Sequence, residues 1–333
     1  MVLEEFLAEW RNSSSKILVH TSGSTGTPKP LWVEKNRMKA SAQLTCNFLG
    51  LKADDTALLC MPLDYIAGKM MVVRALVQQM RLISVEPSSR PLRDLQSSPD
   101  FAAMVPMQVY ESLKYPHDAS LLKNIKHLII GGGAIDKELA AKLKTFPYAV
   151  WSTYGMTETL SHIALRRLNG DDASDWYMPF ENVSIRIAAD GCLCIHAPLV
   201  CAEDIKTNDR AEISSDGCRF RIIGRKDNVI DSGGIKIQIE KLEQRLKTYI
   251  DHSFLITKCN DAKFGEAVVL MVAINNKDSK VTVSTFKDIC QKHLSKYCRP
   301  KHILFIQEIP LTGTGKIARS KAEDIANEML KGE

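Results

Sequence analysis

Apolar residues fall in short runs set between glycine, proline and polar clusters, and strand-like and helix-like spacings alternate along the first two thirds of the chain. Residues 16–21 read as a strand running into a glycine-rich stretch. Residues 36–49 read as a helix, with Asn36 as its N-cap. A short buried strand at 56–61, an apolar helix at 65–80 and a strand at 81–85 follow. Further strands are predicted at 101–105, 126–130 and 149–152, with a helix at 137–144 between the last two. Such alternation predicts an α/β sheet with helices on its faces. Ligands of these sheets sit beyond the carboxyl ends of the strands. Thr21 with Ser22, Gly131 to Gly133, and Thr153 with Tyr154 all fall there in this reading.

The pattern changes near residue 183. Short β segments at 183–187, 192–196 and 219–223 lead to the polar stretch Gly224-Arg-Lys-Asp-Asn228, where the chain is expected to change domain. Beyond it a helix at 239–249, strands at 253–257 and 267–274, a helix at 285–294 and a strand at 302–306 predict a small α+β unit. The expected organisation is a large N-terminal α/β domain with added β segments over 1–225, a hinge at 226–228 and a small mobile α+β domain over 229–333.

Composition narrows the class. A chain of 333 residues can bury a large core and is expected to hold two domains. No apolar run approaches the roughly 20 residues of a membrane span, and the start Met1-Val-Leu-Glu-Glu-Phe6 lacks the pattern of a signal peptide. Nine cysteines without a framework are expected to be reduced thiols in a cytoplasm. Cys192, Cys194 and His196 have a metal-like spacing, but Asp190-Gly191 reads as a hairpin turn and alternate residues after it share one strand face. The net charge of +5 is modest and unclustered, which argues against nucleic acid and suits polyanionic small ligands.

The chemistry concentrates in four segments. His20-Thr-Ser-Gly-Ser-Thr-Gly-Thr-Pro-Lys29 packs hydroxyls, two glycines and a lysine behind an apolar run. Glycine lets the backbone approach a ligand, amide and hydroxyl groups solvate phosphate oxygens, and the lysine adds charge. The spacing is not that of a Walker A loop: Gly23 and Gly26 are too close and Pro30 follows Lys29. Ser152-Thr-Tyr-Gly-Met-Thr-Glu-Thr159, Gly224-Arg-Lys-Asp-Asn228 continuing to Lys236, and Pro310-Leu-Thr-Gly-Thr-Gly-Lys316 complete the set.

These four segments, in this order, resemble those of the adenylate-forming superfamily of acyl- and aryl-CoA ligases, adenylation domains and luciferase. The resemblance implies that Thr21, Ser22, Gly23, Ser24, Thr25, Gly26 and Lys29 form the phosphate cradle. It implies that Gly131, Gly132 and Gly133, with Thr153, Tyr154 and Gly155, line the adenine and acyl pocket, Tyr154 lying against the base. Thr157 matches a phosphate-contacting threonine and Glu158 the Mg²⁺-binding acid. Asp209 matches the acid on the ribose hydroxyls and Arg225 the arginine that contacts the ribose near the domain junction. The family usually has glycine where Asn208 stands, and asparagine tolerates a left-handed turn there. Lys316 matches the catalytic lysine that bridges carboxylate and α-phosphate. Asp227 matches the hinge about which the C-terminal domain turns, bringing the region of Gly233, Gly234 and Lys236 to the thioester-forming step. ATP, Mg²⁺ and CoA are the co-substrates implied, with a small carboxylic acid, no nucleic acid and no membrane span.

Two departures matter. Family members carry a whole subdomain ahead of the phosphate loop, which here begins at His20; the sheet face so uncovered is an expected homodimer surface. Asp64 and Tyr65 stand where the family often has an aromatic–histidine pair.

Pro62-Leu…Gly68…Arg74, Val105-Pro-Met-Gln108 and the run at Gly131 further resemble the 2-succinylbenzoate–CoA ligases of menaquinone synthesis. The acid of that subgroup has a second carboxylate, and Arg74 is the candidate to meet it, the alternative being a helix-surface salt bridge. Met107 and Gly132, with Met70, are the candidates to hold its ring. Another aryl- or acyl-CoA ligase, or an inactive nucleotide-binding partner subunit, remain open readings.

Overall fold

The computed structural model describes residues 1–20, 30–133, 135, 137–274, 282–312 and 317–331. Thr21 to Lys29 and Lys316 therefore lie outside the described residues. Two compact units divide the chain: residues 1–188, 193–207 and 213–221 form the first, and 189–192, 208–212 and 222–333 the second.

The first unit opens with helix α1 (Leu3–Arg11), whose Phe6 is fully buried. Strands β1 (Lys16–His20) and β2 (Pro30–Glu34) pair antiparallel as a separate two-stranded sheet. The strand expected before the glycine-rich stretch thus exists but does not join the large sheet. Helix α2 (Lys35–Leu49) buries Met38, Ala42, Thr45, Cys46 and Leu49, one stripe at helical spacing, and ends on Gly50 at φ +67°.

A seven-stranded sheet forms the core of this unit. Its strands are β3 (Thr56–Leu59), β4 (Arg81–Ser84), β5 (Phe101–Met104), β6 (His127–Ile130), β7 (Ala149–Gly155), β8 (His162–Arg167) and β9 (Met178–Pro179), in the order β4-β3-β5-β6-β7-β8-β9. The pairings from β4 to β7 are parallel, those of β8 and β9 antiparallel. Buried on both faces, β5 is apolar throughout, and β3 and β6 are apolar and buried after their opening Thr56 and His127. Helix α3 (Ile66–Gln78) is apolar nearly all round and almost wholly buried over Gly68 to Ala75. Helices α4 (Pro106–Ser112), α5 (Pro116–Lys123) and α6 (Lys137–Leu143) connect the later strands.

A four-stranded sheet follows, in the order β10 (Ser184–Ile187), β11 (Cys192–His196), β12 (Ile205–Ile213) and β13 (Phe220–Arg225). The β10–β11 pair is the hairpin expected at Asp190-Gly191, with Gly191 at φ +79°.

The second unit adds the hairpin β14 (Val229–Ser232) and β15 (Ile235–Gln238), helix α7 (Ile239–Leu246), strands β16 (Phe254–Asp261) and β17 (Gly265–Ala273), helix α8 (Val283–His293), strand β18 (His302–Ile306) and helix α9 (Arg319–Leu330). The central strand β17 pairs with β14, β16 and β18. Its two faces are covered by separate clusters, one centred on Leu242, Leu246 and Phe286, the other on Ala322 and Ala326 of α9. All nine cysteines are free thiols. No helix among the described residues is long and apolar enough to cross a membrane.

Candidate active site

The carboxyl ends of β5, β6 and β7 come together, and close packing explains their glycines. A methyl on Gly131 would lie 2.3 Å from Thr153 Oγ1. Gly132, at φ +77°, faces Val105, and Gly133 faces Pro106. The structure so brings the Gly131–Gly133 run, Thr153 and the start of α4 into one place. Gln108, 4% exposed, ties that place together. Its amide donates to the carbonyls of Cys60 (3.1 Å) and Ser88 (3.0 Å), and its Oε1 accepts from Val105 N (3.1 Å).

Strand β7 runs further than the sequence reading placed it. Thr153 and Tyr154 lie within the strand, not beyond it, because they pair antiparallel with Leu165 and Ala164 of β8. The half-buried Tyr154 ring meets Phe220 edge-on at 5.1 Å and Tyr177 at 5.7 Å. At Gly155 the register shifts. A methyl there would sit 2.2 Å from the Ser161 carbonyl oxygen, so two backbones touch.

The turn that follows presents Thr157, 7% exposed, and Glu158, which is exposed. Thr159, missed by the sequence reading, is fully buried inside it. Its Oγ1 accepts from Met156 N (2.9 Å) and lies 2.6 Å from the carbonyl oxygen of Ser161.

Arg74 is not on a helix surface. It is 2% exposed, and its Nη2 donates to Ser161 Oγ at 2.6 Å. Its buried Nε has no partner among the described residues. Burial pulls its pKa down to about 10. Next to Ser161, His162 is buried between Ser161 Oγ (3.2 Å to Nδ1) and Thr45 Oγ1 (3.0 Å to Nε2). Thr45 donates its own proton to the Ser41 carbonyl, so Nε2 carries the hydrogen and Nδ1 accepts from Ser161. Burial, reinforced by the Arg74 charge, holds the imidazole well below its usual 6.5. The folded chain keeps this histidine neutral while the unfolded chain protonates. Stability is therefore present above about pH 6.5 and falls as pH drops through that value. Urea midpoints at pH 7.5 and 5.5 should show the loss, and His162→Gln should flatten it. An unchanged slope in that variant would contradict the assignment.

Of the acid-pocket candidates, Met70 is fully buried in α3, whereas Met107 is 51% exposed at the start of α4. Two clefts, of about 540 and 440 Å³, lie elsewhere: one lined by Trp10, Gln43 and Val77, the other by His127, Tyr148 and Trp151.

In the second unit three residues singled out from sequence meet. Arg225 pairs with Asp209 at 3.0 Å and with Asp227 at 2.7 Å. Asn208 donates to Asp227 at 3.3 Å. The left-handed turn expected at Asn208 is absent: residues 206–210 lie inside β12, where an extended backbone makes no demand for glycine. Gly233 and Gly234, at φ +61° and +83°, form the two-residue turn between β14 and β15, a conformation that favours glycine at both positions. Lys236 follows, exposed on β15.

Among the described residues no group of three or more His, Cys, Asp or Glu side chains could hold a metal ion. Glu158 offers a hard, exposed carboxylate oxygen next in sequence to the Thr157 hydroxyl. That donor set fits Mg²⁺, which takes one or two protein carboxylates together with substrate phosphates.

A family model described as AMP-binding enzyme matches residues 8–195, and one described as AMP-binding enzyme C-terminal domain matches residues 259–316. The 2-succinylbenzoate–CoA ligase of Enterococcus faecalis is 28% identical over 337 residues, covering 91% of this chain and 68% of its own. Among solved structures, an acyl-CoA synthetase (AMP-forming)/AMP-acid ligase II-like protein from Dyadobacter fermentans is 34% identical at a TM-score of 0.64, covering 96% of this chain and 92% of its own. The o-succinylbenzoate coenzyme A synthetase of Bacillus subtilis, in complex with ATP and magnesium ion, shares the fold at 20% identity and a TM-score of 0.74, covering 91% of this chain and 69% of its own.

Proposed function

The chain belongs to the AMP-binding enzyme family, and from that premise we propose that it is an AMP-forming acid–thiol ligase that converts 2-succinylbenzoate, ATP and CoA to the succinylbenzoyl thioester, AMP and diphosphate. In the first step a carboxylate oxygen attacks the α-phosphorus, and the bond to the departing diphosphate breaks. In the second the CoA sulfur attacks the acyl carbon, AMP leaves, and the thiol proton passes to solvent.

The observation that carries this reading is the arrangement at the carboxyl ends of β5, β6 and β7. The glycine run, Thr153 and Tyr154 stand beside a fixed turn that offers one hydroxyl and one carboxylate. Adenylation needs such groups: a flat surface for the base, donors for phosphate, and an oxygen ligand for the metal. Thr157 would contact phosphate, and Glu158 would hold Mg²⁺, which offsets the charge on the leaving diphosphate. Asp209 would take the ribose hydroxyls, with Arg225 fixing its carboxylate. The cradle of Thr21 to Lys29 and the charge of Lys316 belong to this proposal. So do the domain limits of 1–225 and 229–333, the hinge about Asp227 and the role of Gly233, Gly234 and Lys236 in thioester formation.

The choice of acid rests on Arg74 and on the Enterococcus relative. A buried guanidinium that, among the described residues, has one hydrogen bond and an unpartnered Nε suits the second carboxylate of a dicarboxylate. The test is a mass-spectrometric thioester assay with 2-succinylbenzoate, benzoate and a medium-chain fatty acid in parallel. A CoA adduct with succinylbenzoate alone is expected. Adducts only with another acid would keep the ligase chemistry and discard this substrate.

We place the chain in the cytoplasm, where nine free thiols stay reduced, and expect a homodimer.

A further inference from the structure

We propose that Thr159 is a positioning residue for the metal–nucleotide complex: its buried hydroxyl fixes the turn from which Thr157 and Glu158 project. The inference rests on the ligase reading above and assigns a role to a residue that contacts neither substrate nor metal.

The turn is closed by its own chain. Thr159 N donates to the Met156 carbonyl (3.2 Å), and Leu160 N donates to the Thr157 carbonyl (2.9 Å). These two bonds leave the Met156 N–H and the Ser161 carbonyl to be satisfied, and the Thr159 hydroxyl serves both. It accepts from Met156 N at 2.9 Å and lies 2.6 Å from Ser161 O and 3.0 Å from Met156 O. A hydroxyl can accept and donate at once, which a methyl of the same size cannot. Thr159 is 0% exposed, so no water takes its place from the surface.

Two further observations show that the turn is held in one shape. Leu160 has φ +63° while only 3% exposed. A bulky residue in the left-handed region persists only where its surroundings determine it, and such residues gather at functional sites. On the opposite side Gly155 lets the Ser161 backbone approach so closely that no side chain fits between. The turn is thus gripped from within by Thr159 and from outside by β7. Its two candidate side chains differ accordingly: Thr157 is buried, and Glu158 reaches solvent. A carboxylate that must meet a small octahedral cation gains from a backbone set in advance.

The test compares Thr159→Val, which keeps shape and loses the hydroxyl, with Thr159→Ser, which keeps the hydroxyl and loses a methyl. Calorimetry of ATP binding with Mg²⁺ and with EDTA gives the metal-dependent gain in affinity for each full-length chain. Acid-dependent diphosphate release against Mg²⁺ concentration gives its kinetic counterpart. Thr159→Val is expected to lose at least about five-fold of the metal-dependent gain and to need about ten-fold more Mg²⁺ for half-maximal release. Thr159→Ser should stay within about two-fold of the parent on both measures. Thr159→Val with the parent's Mg²⁺ dependence would overturn the inference. So would a Thr159→Ser chain as impaired as Thr159→Val, which would point to the methyl. A Thr159→Val chain that does not fold would also overturn it, placing the hydroxyl in global stability rather than local placement. A parent chain that neither binds ATP nor releases diphosphate would instead sink the ligase reading itself.

Discussion

Lys316→Ala should lower acid-dependent diphosphate release by about 10²–10³-fold, the usual loss when one preorganised group that meets transition-state charge is removed. The same variant should still pass a supplied acyl-adenylate to CoA at a rate close to that of the parent. The second expectation follows from the proposed division of labour, in which the lysine serves the phosphorus chemistry and the Gly233–Lys236 region the thioester step. Lys316 itself lies outside the described residues, but both of its flanks are anchored. Leu311 bridges Ile317 antiparallel, and Ala318 N donates to the Pro310 carbonyl at 2.8 Å. Arg319 grips both carboxylate oxygens of Glu243, at 2.9 and 2.7 Å, and the Ile256 carbonyl at 3.0 Å. Alanine at 316 leaves these anchors intact, so thermal unfolding should be unchanged. Equal loss of both half-reactions, read by diphosphate release and by thioester formation, would contradict the assignment.

Gly155→Ala should both destabilise the first unit and abolish adenylation. The added methyl would fall 2.2 Å from Ser161 O and 2.4 Å from His162 Cα, backbone atoms that cannot rotate away as a side-chain tip can. Relief requires β7 and β8 to part at the register shift between Tyr154 and Gly155. Overpacking of this kind costs about 1–3 kcal/mol, and here the shift would pass straight into the turn that carries Thr157 and Glu158. Urea unfolding and diphosphate release check the two effects. A stable, active alanine variant would show that the two strands tolerate separation at this point.

The sequence carried the fold where local signals and burial agree. Residues 192–196 and 302–306 were placed to the residue. The first follows an Asp-Gly turn; the second is a short apolar run behind Arg299-Pro-Lys301. Strand β12 carries little strand signal because Ile205-Lys-Thr-Asn-Asp-Arg-Ala-Glu-Ile213 is mostly polar, and its extension comes from pairing with neighbours rather than from propensity. Helix α9 is hidden for a related reason: its buried positions are Ala322 and Ala326, too small to mark an apolar stripe. The hairpin β14–β15 was legible in Ser232-Gly-Gly-Ile235 and went unread as a turn.

The site divides the same way. The family's motif residues stand in recognisable order along the chain, so Thr157 and Glu158 can be proposed for phosphate and metal. The residue that fixes them could not, because nothing in the string distinguishes a threonine aimed inward from one aimed out. Arg74 shows the same limit. On a helix apolar nearly all round, periodicity gives no outward face, and only the packing reveals a fully buried guanidinium. Asn208 shows the converse: a departure from the family pattern that looked like an altered turn is an ordinary strand position.

Acid-dependent exchange of labelled diphosphate into ATP, measured without CoA, reports on the acyl-adenylate intermediate itself. Exchange should require both the acid and Mg²⁺, and the reaction should yield AMP, not ADP, once CoA is added. Release of ADP and phosphate, or thioester formation with no exchange at any acid concentration, would contradict an acyl-adenylate intermediate and with it the proposed mechanism.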